Sequence, residues 1–493
     1  MAIYAGLVAL AFSINYPGRL TPDSLDMLTQ AVHPEALNDW HEPATTEFWL
    51  IFAPILGQPA SALLSQALLI FFYPAILIER TIAQRLITVP LLLGLTAFVA
   101  ALVAVTGIIS KDIVLVGLVF CLLAVLDFHS ASALGVFRSV LFAGLIIAIA
   151  LIRPTNSLII GATGVYWVVI RRIKVLVAIP VLILICIATV ASPWMMKHFD
   201  QTLLGAADAR AEDSLVIFDV AGISSAIHKD LFADLPGWLT DRPSDPNSKF
   251  SVPWCNTCAS GACLESFSSV CRTAAESGDQ LKRKVQQPWH CYTPIGWDPF
   301  AWGECKEYLQ LFRDSNVNPI YWWLRTIVDH PIGYAIHRLK YAFHLVRSMR
   351  PISTRGTPYA TNVTFRLNEL FGPSTEGFDM RNRFQLWENR IALVPFEWTA
   401  AFVFSRPTLV IVIFVCLLVL INGWQVSRAR GEIDPVEVTA GAIGLANVLM
   451  LVAFGVSAEG RYLLLTFVCG FVIMLRRLIG YRASWRHEPE LAG

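Results

Sequence analysis

The chain has 493 residues, of which 55% are hydrophobic and only 15% charged, with a formal net charge of +1. Its mean hydropathy is +0.56, whereas soluble domains carry about a quarter charged residues. A near-neutral balance gives no basis for nucleic-acid binding, and the composition excludes an ordinary soluble globular domain.

Apolar runs recur along the sequence at roughly 2–16, 59–78, 86–108, 113–128, 136–152, 157–170, 174–192, 407–424, 436–456 and 462–475. Many approach the ~20 residues that a spanning helix needs, so the expected fold is an α-helical polytopic membrane protein with about ten spans. The first run, from Ala2 to Tyr16, lacks a basic leader and a small-residue cleavage site, so it reads as a spanning helix rather than a signal peptide. The sequence leaves open whether its start is complete. The loop that follows, LTPDSLDMLTQAVHPEALNDWHEP, concentrates Asp23, Asp26, Glu35, Asp39 and Glu42 with two histidines. An apolar piece, Glu47 to Leu56, is too short to cross and is expected at the interface.

Between the seventh and eighth runs lies a long segment, 193–406. It opens with IFDVAGIS, which puts Asp219 near the membrane, either lining the route of an acceptor or as a core acid between strand and turn. It also holds Cys255, Cys258, Cys263, Cys271, Cys291 and Cys305. Six cysteines outside the cytoplasm allow up to three disulfides in any of fifteen pairings. The CNTC pair has zinc-ligand spacing but no second CxxC, and an oxidising compartment favours bridges. Cys121, Cys186, Cys416 and Cys469 lie in apolar runs and read as buried thiols. Residues 318–350 mix aromatic and basic side chains at helical spacing, as in a helix on a membrane surface or under an outside domain.

Lys and Arg in short loops set orientation. Arg80, Arg85, Arg138, Arg171, Arg172, Lys174, Arg428, Arg430 and the tail arginines fall on alternate connections, which are therefore cytoplasmic. The other short connections hold only Lys111, Arg153 and Arg461. The first loop and 193–406 are then outside. The domains expected are an N-terminal transmembrane module (1–192) with a catalytic loop at 17–46, a cysteine-rich outside domain (193–406), and a C-terminal transmembrane module with cytoplasmic tail (407–493).

On this topology carboxylates and cations meet at one depth. Asp23, Asp39 and His41 come from the first loop, Lys111 and Asp112 from SKD, Arg153 from LIRPTN, and Arg461 with Tyr462 from AEGRY. Charges at a membrane edge are costly, which makes them candidates for function. A lipid phosphate at headgroup level needs cations, and an acceptor hydroxyl or amine needs a base. Glycosyl transfer from a polyprenyl-phosphate sugar needs both. Each has a simpler structural alternative. Asp23 in TPDS could N-cap a helix starting near Ser24, Asp26 could be merely solvated, Asp39 and His41 could form a turn, Lys111 and Asp112 a local pair, and Arg153 could reach to headgroups. Asp23, Asp39 and His41 could also hold a divalent ion, but a monophosphate donor does not require one, and no metal or cofactor is expected.

The acidic first loop, the charged second outside turn, the large outside segment after the seventh run and the late RY resemble the GT-C glycosyltransferases. That superfamily includes protein O-mannosyltransferases and lipid A aminoarabinose transferases. The resemblance implies a polyprenyl-phosphate sugar as donor, with Asp23 of PDSLDMLTQA as the base and Asp39 beside it. DWHEP resembles the DWHPP-like stretch of bacterial relatives, with Glu42 where they carry proline. SKD, RPTN and AEGRY resemble later landmarks. PDS stands where better-known branches carry an Asp-Glu pair, and the cysteine-rich segment is not general to the superfamily. The expectation is a glycosyltransferase at the outer face of the cytoplasmic membrane, acting on an envelope glycan, lipid or protein acceptor. The alternatives are a lipid-linked glycan flippase, an O-antigen-ligase-like transferase or a membrane-anchored binding protein. A flippase keeps its ionisable residues deep in the spans and is built from repeats, neither of which is evident.

Overall fold

The computed structural model describes residues 1–16, 18–32, 37–41, 43–84, 88–127, 135–152, isolated positions between 156 and 183, 197–202, 204–235, 291–294, 296–301, 305–315, 317–347, 393–428, 434–457 and 460–487. The described chain is mostly helical. Helices long and apolar enough to cross a membrane run from Val89 to Thr106, Arg406 to Val426, Pro435 to Phe454 and Arg461 to Gly480. Ala60–Ile70 and Phe72–Ala83 together pass the same test but bend by 41° at Phe71. The chain is thus a helical membrane protein.

The ten-span expectation is corrected to four spans, or up to five if the bent pair is one, among the described residues. The shortfall has physical causes. The first run folds into α1, Ala2–Asn15, of 14 residues, about 21 Å at 1.5 Å per residue against a ~30 Å hydrocarbon core. The run 59–78 breaks into α4 (Ala60–Ile70) and α5 (Phe72–Ala83). Pro74 cannot donate to the carbonyl four residues back, which loosens the ladder at the bend. The runs 157–170 and 174–192 lie largely outside the described residues.

The remaining elements used below are α2 (Pro22–Val32), α3 (Pro43–Leu50), α6 (Val89–Thr106), α7 (Lys111–Asp127) and α8 (Gly135–Ile152). They continue as α9 (Glu212–Ile227), α10 (Lys306–Asp314), α11 (Pro319–Asp329) and α12 (Pro331–Arg347), then α13 (Arg406–Arg428), α14 (Pro435–Phe454) and α15 (Leu464–His487). The piece expected at the interface becomes α3 followed by a short helix at Ala53–Leu56. Trp49 is buried there while Ile51 and Ile55 are exposed.

Helix α7 is buried along most of its length and runs between two charged ends. Asp112 opens it. At the other end Asp127 accepts from Arg80 at 2.6 Å and from Arg476 at 2.8 Å. Arg476 also reaches Asp434 at 2.6 Å, and Asp434 caps α14 by accepting from the N–H groups of Val436 and Glu437. Four helices are thereby tied at that end by charge-assisted bonds, which are shorter and stronger than neutral ones. Fifteen residues of α7 separate the two ends, about 23 Å.

Outside the span helices, α12 packs one face on α9. Gly333, His337, Tyr341 and Leu345 fall every fourth residue and are buried. Gly222 of α9 has no room for a Cβ because the His337 ring lies against it. The opposite face of α11 and α12 exposes Tyr321, Leu324, Val328, Ile332, Leu339 and Phe343. This amphipathic pattern is the one expected of residues 318–350.

Candidate functional site

Two-residue strands bring the first loop to the SKD turn. Strand β1, Arg19–Leu20, pairs in parallel with β2, Ile108–Ile109, in the register Arg19 to Ile108 and Leu20 to Ile109. Gly18 precedes β1 at φ +108°, a conformation that favours glycine, and a Cβ there would come within 2.6 Å of Ile109 Cδ1. Buried Gln66 braces the turn, donating to the carbonyls of Thr106 and Ile108 and accepting from the Ser110 N–H. Arg19 donates to the Ala104 carbonyl and pairs with Glu397 at 3.1 Å.

Helix α2 begins at once. Thr21 and Ser24 form a reciprocal cap: the Thr21 N–H donates to Ser24 Oγ at 2.6 Å and the Ser24 N–H to Thr21 Oγ1 at 3.1 Å. This is the geometry of a capping box, with Pro22 in the first helical position. The capping role that the sequence allowed for Asp23 is thus filled by Thr21. Asp23 lies two residues on, in the first turn.

The Asp23 carboxylate faces Arg461. Arg461 Nη2 lies 2.6 Å from Asp23 Oδ2, and Arg461 Nε lies 3.9 Å from Asp112 Oδ2. Arg461 also donates to the Tyr462 hydroxyl at 3.2 Å, with its guanidinium 5.1 Å from that ring's centre. Arg461 occupies a 3-10 turn, Gly460–Leu463, leading into α15. Asn447 pins the turn by donating to the Tyr462 carbonyl and to Thr466 Oγ1, each at 3.0 Å. The Asp23 side chain remains 40% exposed, Arg461 20% and Asp112 8%. The cluster is accessible on its Asp23 side and buried behind.

Burial pushes the Asp23 pKa up, but the charge of Arg461, then that of His41, the hydrogen bond from Arg461 and the charge of Lys111 outweigh it and hold the carboxyl below its ordinary value. Asp26, one turn along, is displaced upward, chiefly by burial, with Gln30 opposing and Asp23 adding to the rise.

The DWH turn is held on α2 through Asp26 and Gln30. Gln30 Nε2 donates to Asp26 Oδ2 at 2.9 Å, and its Oε1 accepts from the Asn38 N–H. His41 Nε2 lies 3.5 Å from Asp26 Oδ2, and the residue is buried. Asp26, which the sequence left as a solvated acid, therefore anchors a site histidine. Asp39 turns the other way. Its Oδ1 accepts from the Ala209 N–H at 2.6 Å and its Oδ2 from Gln201 at 3.2 Å, fastening the first loop to residues 201–209. The expected second wall thus divides: His41 bears on Asp23, and Asp39 organises the neighbouring chain.

Asp219 departs most from expectation. It lies mid-helix in α9, not between strand and turn, and is fully buried. Its Oδ2 accepts from Trp323 Nε1 at 2.7 Å, its Oδ1 from His337 Nε2 at 2.8 Å, and Arg338 pairs with it. Such an acid cannot line a route for an acceptor. Its partners His337 and Arg338 were missed, although HR within an aromatic, helical-period segment was a visible signal. Asp112, for which the sequence also allows a local pair with Lys111, faces Arg461.

Cys291 and Cys305 form a disulfide. Cys255, Cys258, Cys263 and Cys271 lie outside the described residues, as does Arg153. Cys416 and Cys469 are buried, as expected of thiols in apolar runs. Among the described residues no three His, Cys, Asp or Glu side chains gather as a metal-ligand set. No protein-family model, curated protein or solved structure matches the chain.

Proposed function

We propose that this membrane protein is a glycosyltransferase of the GT-C kind, moving a sugar from a polyprenyl-phosphate donor to an envelope glycan, lipid or protein acceptor. The single observation that carries the reading is the convergence of Asp23, Lys111 with Asp112, and Arg461 with Tyr462 from three distant segments. Two carboxylates and two cations on a cluster open at Asp23 suit a base beside a phosphate. Lys111 stands at the N-terminus of α7, where a helix dipole disfavours a cation. That placement makes sense if an anion is to be bound there. The excess of Lys and Arg on the alternate loops supports a site facing outside the cytoplasmic membrane. The exposed apolar face of α11 and α12 suits lipid headgroup depth.

The chemistry assigns each group one task. Asp23 takes the proton of the acceptor hydroxyl or amine. The acceptor atom bonds to the anomeric carbon, and the bond from that carbon to the phosphate oxygen breaks. The polyprenyl phosphate leaves with the electron pair, its charge met by the planar fork of Arg461 and the point charge of Lys111. Without donor, Arg461 clasps Asp23 and keeps it a weak base. A donor phosphate competes for the guanidinium, and loosening that clasp raises the basicity of Asp23 as the substrate arrives. The test is incorporation of radiolabelled sugar in membranes carrying the protein, offered a panel of polyprenyl-phosphate sugars. Transfer that depends on the protein is expected. Membranes that transfer nothing beyond a protein-free control would contradict the reading.

A further inference from the structure

The segment that ends at Ser457, shortly before the turn that carries Arg461, is gripped from outside the spans. Arg338 Nη1 donates to the Gly455 carbonyl at 2.7 Å. Tyr341 Oη donates to the Ser457 carbonyl at 2.9 Å, four residues before Arg461. The Trp297 N–H donates to the Val456 carbonyl at 3.0 Å, and Tyr334 Oη to the Ala453 carbonyl at 3.2 Å. Four donors therefore hold four carbonyls within the five residues 453–457, at and just past the end of α14.

Those donors are themselves fixed. Arg338 is 4% exposed and pairs with Asp219, which is held from the other side by Trp323 and His337. His337 accepts from Tyr292 at 2.8 Å, since its other nitrogen must donate to the carboxylate. Arg338 also lies 5.7–5.9 Å from the ring centres of Phe218, Tyr334 and Tyr341. Trp297 sits inside the loop closed by Cys291 and Cys305 and touches Trp40 of the DWH turn, with ring centres 5.3 Å apart. One scaffold thus grips both walls of the site: the DWH turn through Trp40 and the Arg461 turn through Arg338 and Tyr341.

We infer that Arg338 and Tyr341, anchored on Asp219, are positioning residues that set Arg461 against Asp23. Their bonds run to the Gly455 and Ser457 carbonyls. A buried node of this kind fixes geometry because Asp219 holds Trp323, His337 and Arg338 at once, while Arg338 and Tyr341 each reach a carbonyl before the Arg461 turn. Asp23 reports on it, because the position of Arg461 governs its protonation. The inference rests on the geometry of the pair and deepens the proposed site.

The experiment measures the rate at which a water-soluble carbodiimide labels Asp23 in the full-length protein in detergent, read by peptide mass spectrometry across the acid range. Only the protonated carboxyl reacts, so the rate rises about tenfold for each unit that the pKa rises. Tyr341→Phe and Arg338→Lys are expected to speed labelling several-fold and to move the pH profile upward, short of the limit set by Arg461→Gln. Thr326→Ala, which removes a buried bond within α11 to the Trp322 carbonyl, is expected to leave the profile unmoved. If Arg338→Lys does not fold, Tyr341→Phe, which loses only a hydroxyl, carries the test. Wild-type profiles in folded Tyr341→Phe protein, or an equal shift in Thr326→Ala, would overturn the inference. No donor or acceptor is used, so absence of sugar transfer would sink the proposed function and leave this result standing.

Discussion

Arg461 Nη2 lies 2.6 Å from Asp23 Oδ2 across 438 residues of sequence. The contact joins the first helix after α1 to the turn before the last span, and Asp112 backs it from the start of α7. Losing Arg461 would unbalance two carboxylates at once, whereas losing Asp23 leaves the guanidinium with Asp112 and Tyr462. The two residues should therefore differ in what their substitutions do.

Arg461→Gln is expected to weaken retention of polyprenyl phosphate roughly 10–100-fold, the worth of a charge-assisted pair of about 1.5–3 kcal/mol. Arg461→Lys keeps the charge and loses the fork, and should fall between. Native mass spectrometry of the purified protein with undecaprenyl phosphate measures both. Equal retention by all three proteins would remove Arg461 from phosphate binding.

The pH dependence follows from the sign of the Asp23 shift. Its folded pKa is lowered, so the carboxylate is already formed at and above the ordinary carboxylate range. Its contribution to stability is fully present above the unfolded value, near 3.9, and is lost as pH falls through the folded value. The acid limb of kcat/KM, which reports the free enzyme, should therefore lie below that of an ordinary carboxylate, and should move up in Arg461→Gln. A limb unmoved by that substitution would show that another group sets it.

His337 carries a second, separate pH effect. Burial, with Arg338 assisting, lowers its pKa below 6.5 despite the Asp219 carboxylate. An unfolded chain takes up that proton first, so stability should decline as pH falls from about 6.5 toward the folded value. Thermal unfolding of wild type and His337→Gln over this range checks it. The wild-type slope should flatten in the variant, and identical slopes would place the protonation elsewhere.

The bridge between Cys291 and Cys305 closes a short loop, with a sequence separation of 14. The chain-entropy account gives about 3 kcal/mol for a loop of this size. Mass analysis of non-reduced protein should recover the linked peptides, and reduction should lower the unfolding temperature. Recovery of both as unlinked thiols would contradict an oxidising location for this segment.

Much of the cluster was legible in the sequence because charge in an apolar chain is conspicuous. Asp23, Lys111 and Arg461 stand out wherever they fall, and alternation of Lys and Arg puts them on one face. What brings them together was not legible. The pairing of Arg19 and Leu20 with Ile108 and Ile109 has two residues per strand, too short for a period-2 pattern. Asp219 was misplaced because Val and Ile around it favour strands locally, whereas burial against α12 selects a helix with Gly222 at the crossing. The bend at Phe71 was hidden because composition stays apolar through it. The role of Asp39 depends on Ala209 and Gln201, far away in sequence.

The most direct test is Asp23→Asn in membranes supplied with a polyprenyl-phosphate sugar that the wild type uses. The substitution preserves shape and removes the base, so transfer should fall by about 10²–10⁴-fold while expression holds and stability drops by no more than the pairing with Arg461 contributes. Transfer within a few-fold of wild type would contradict the assignment of Asp23 as the base.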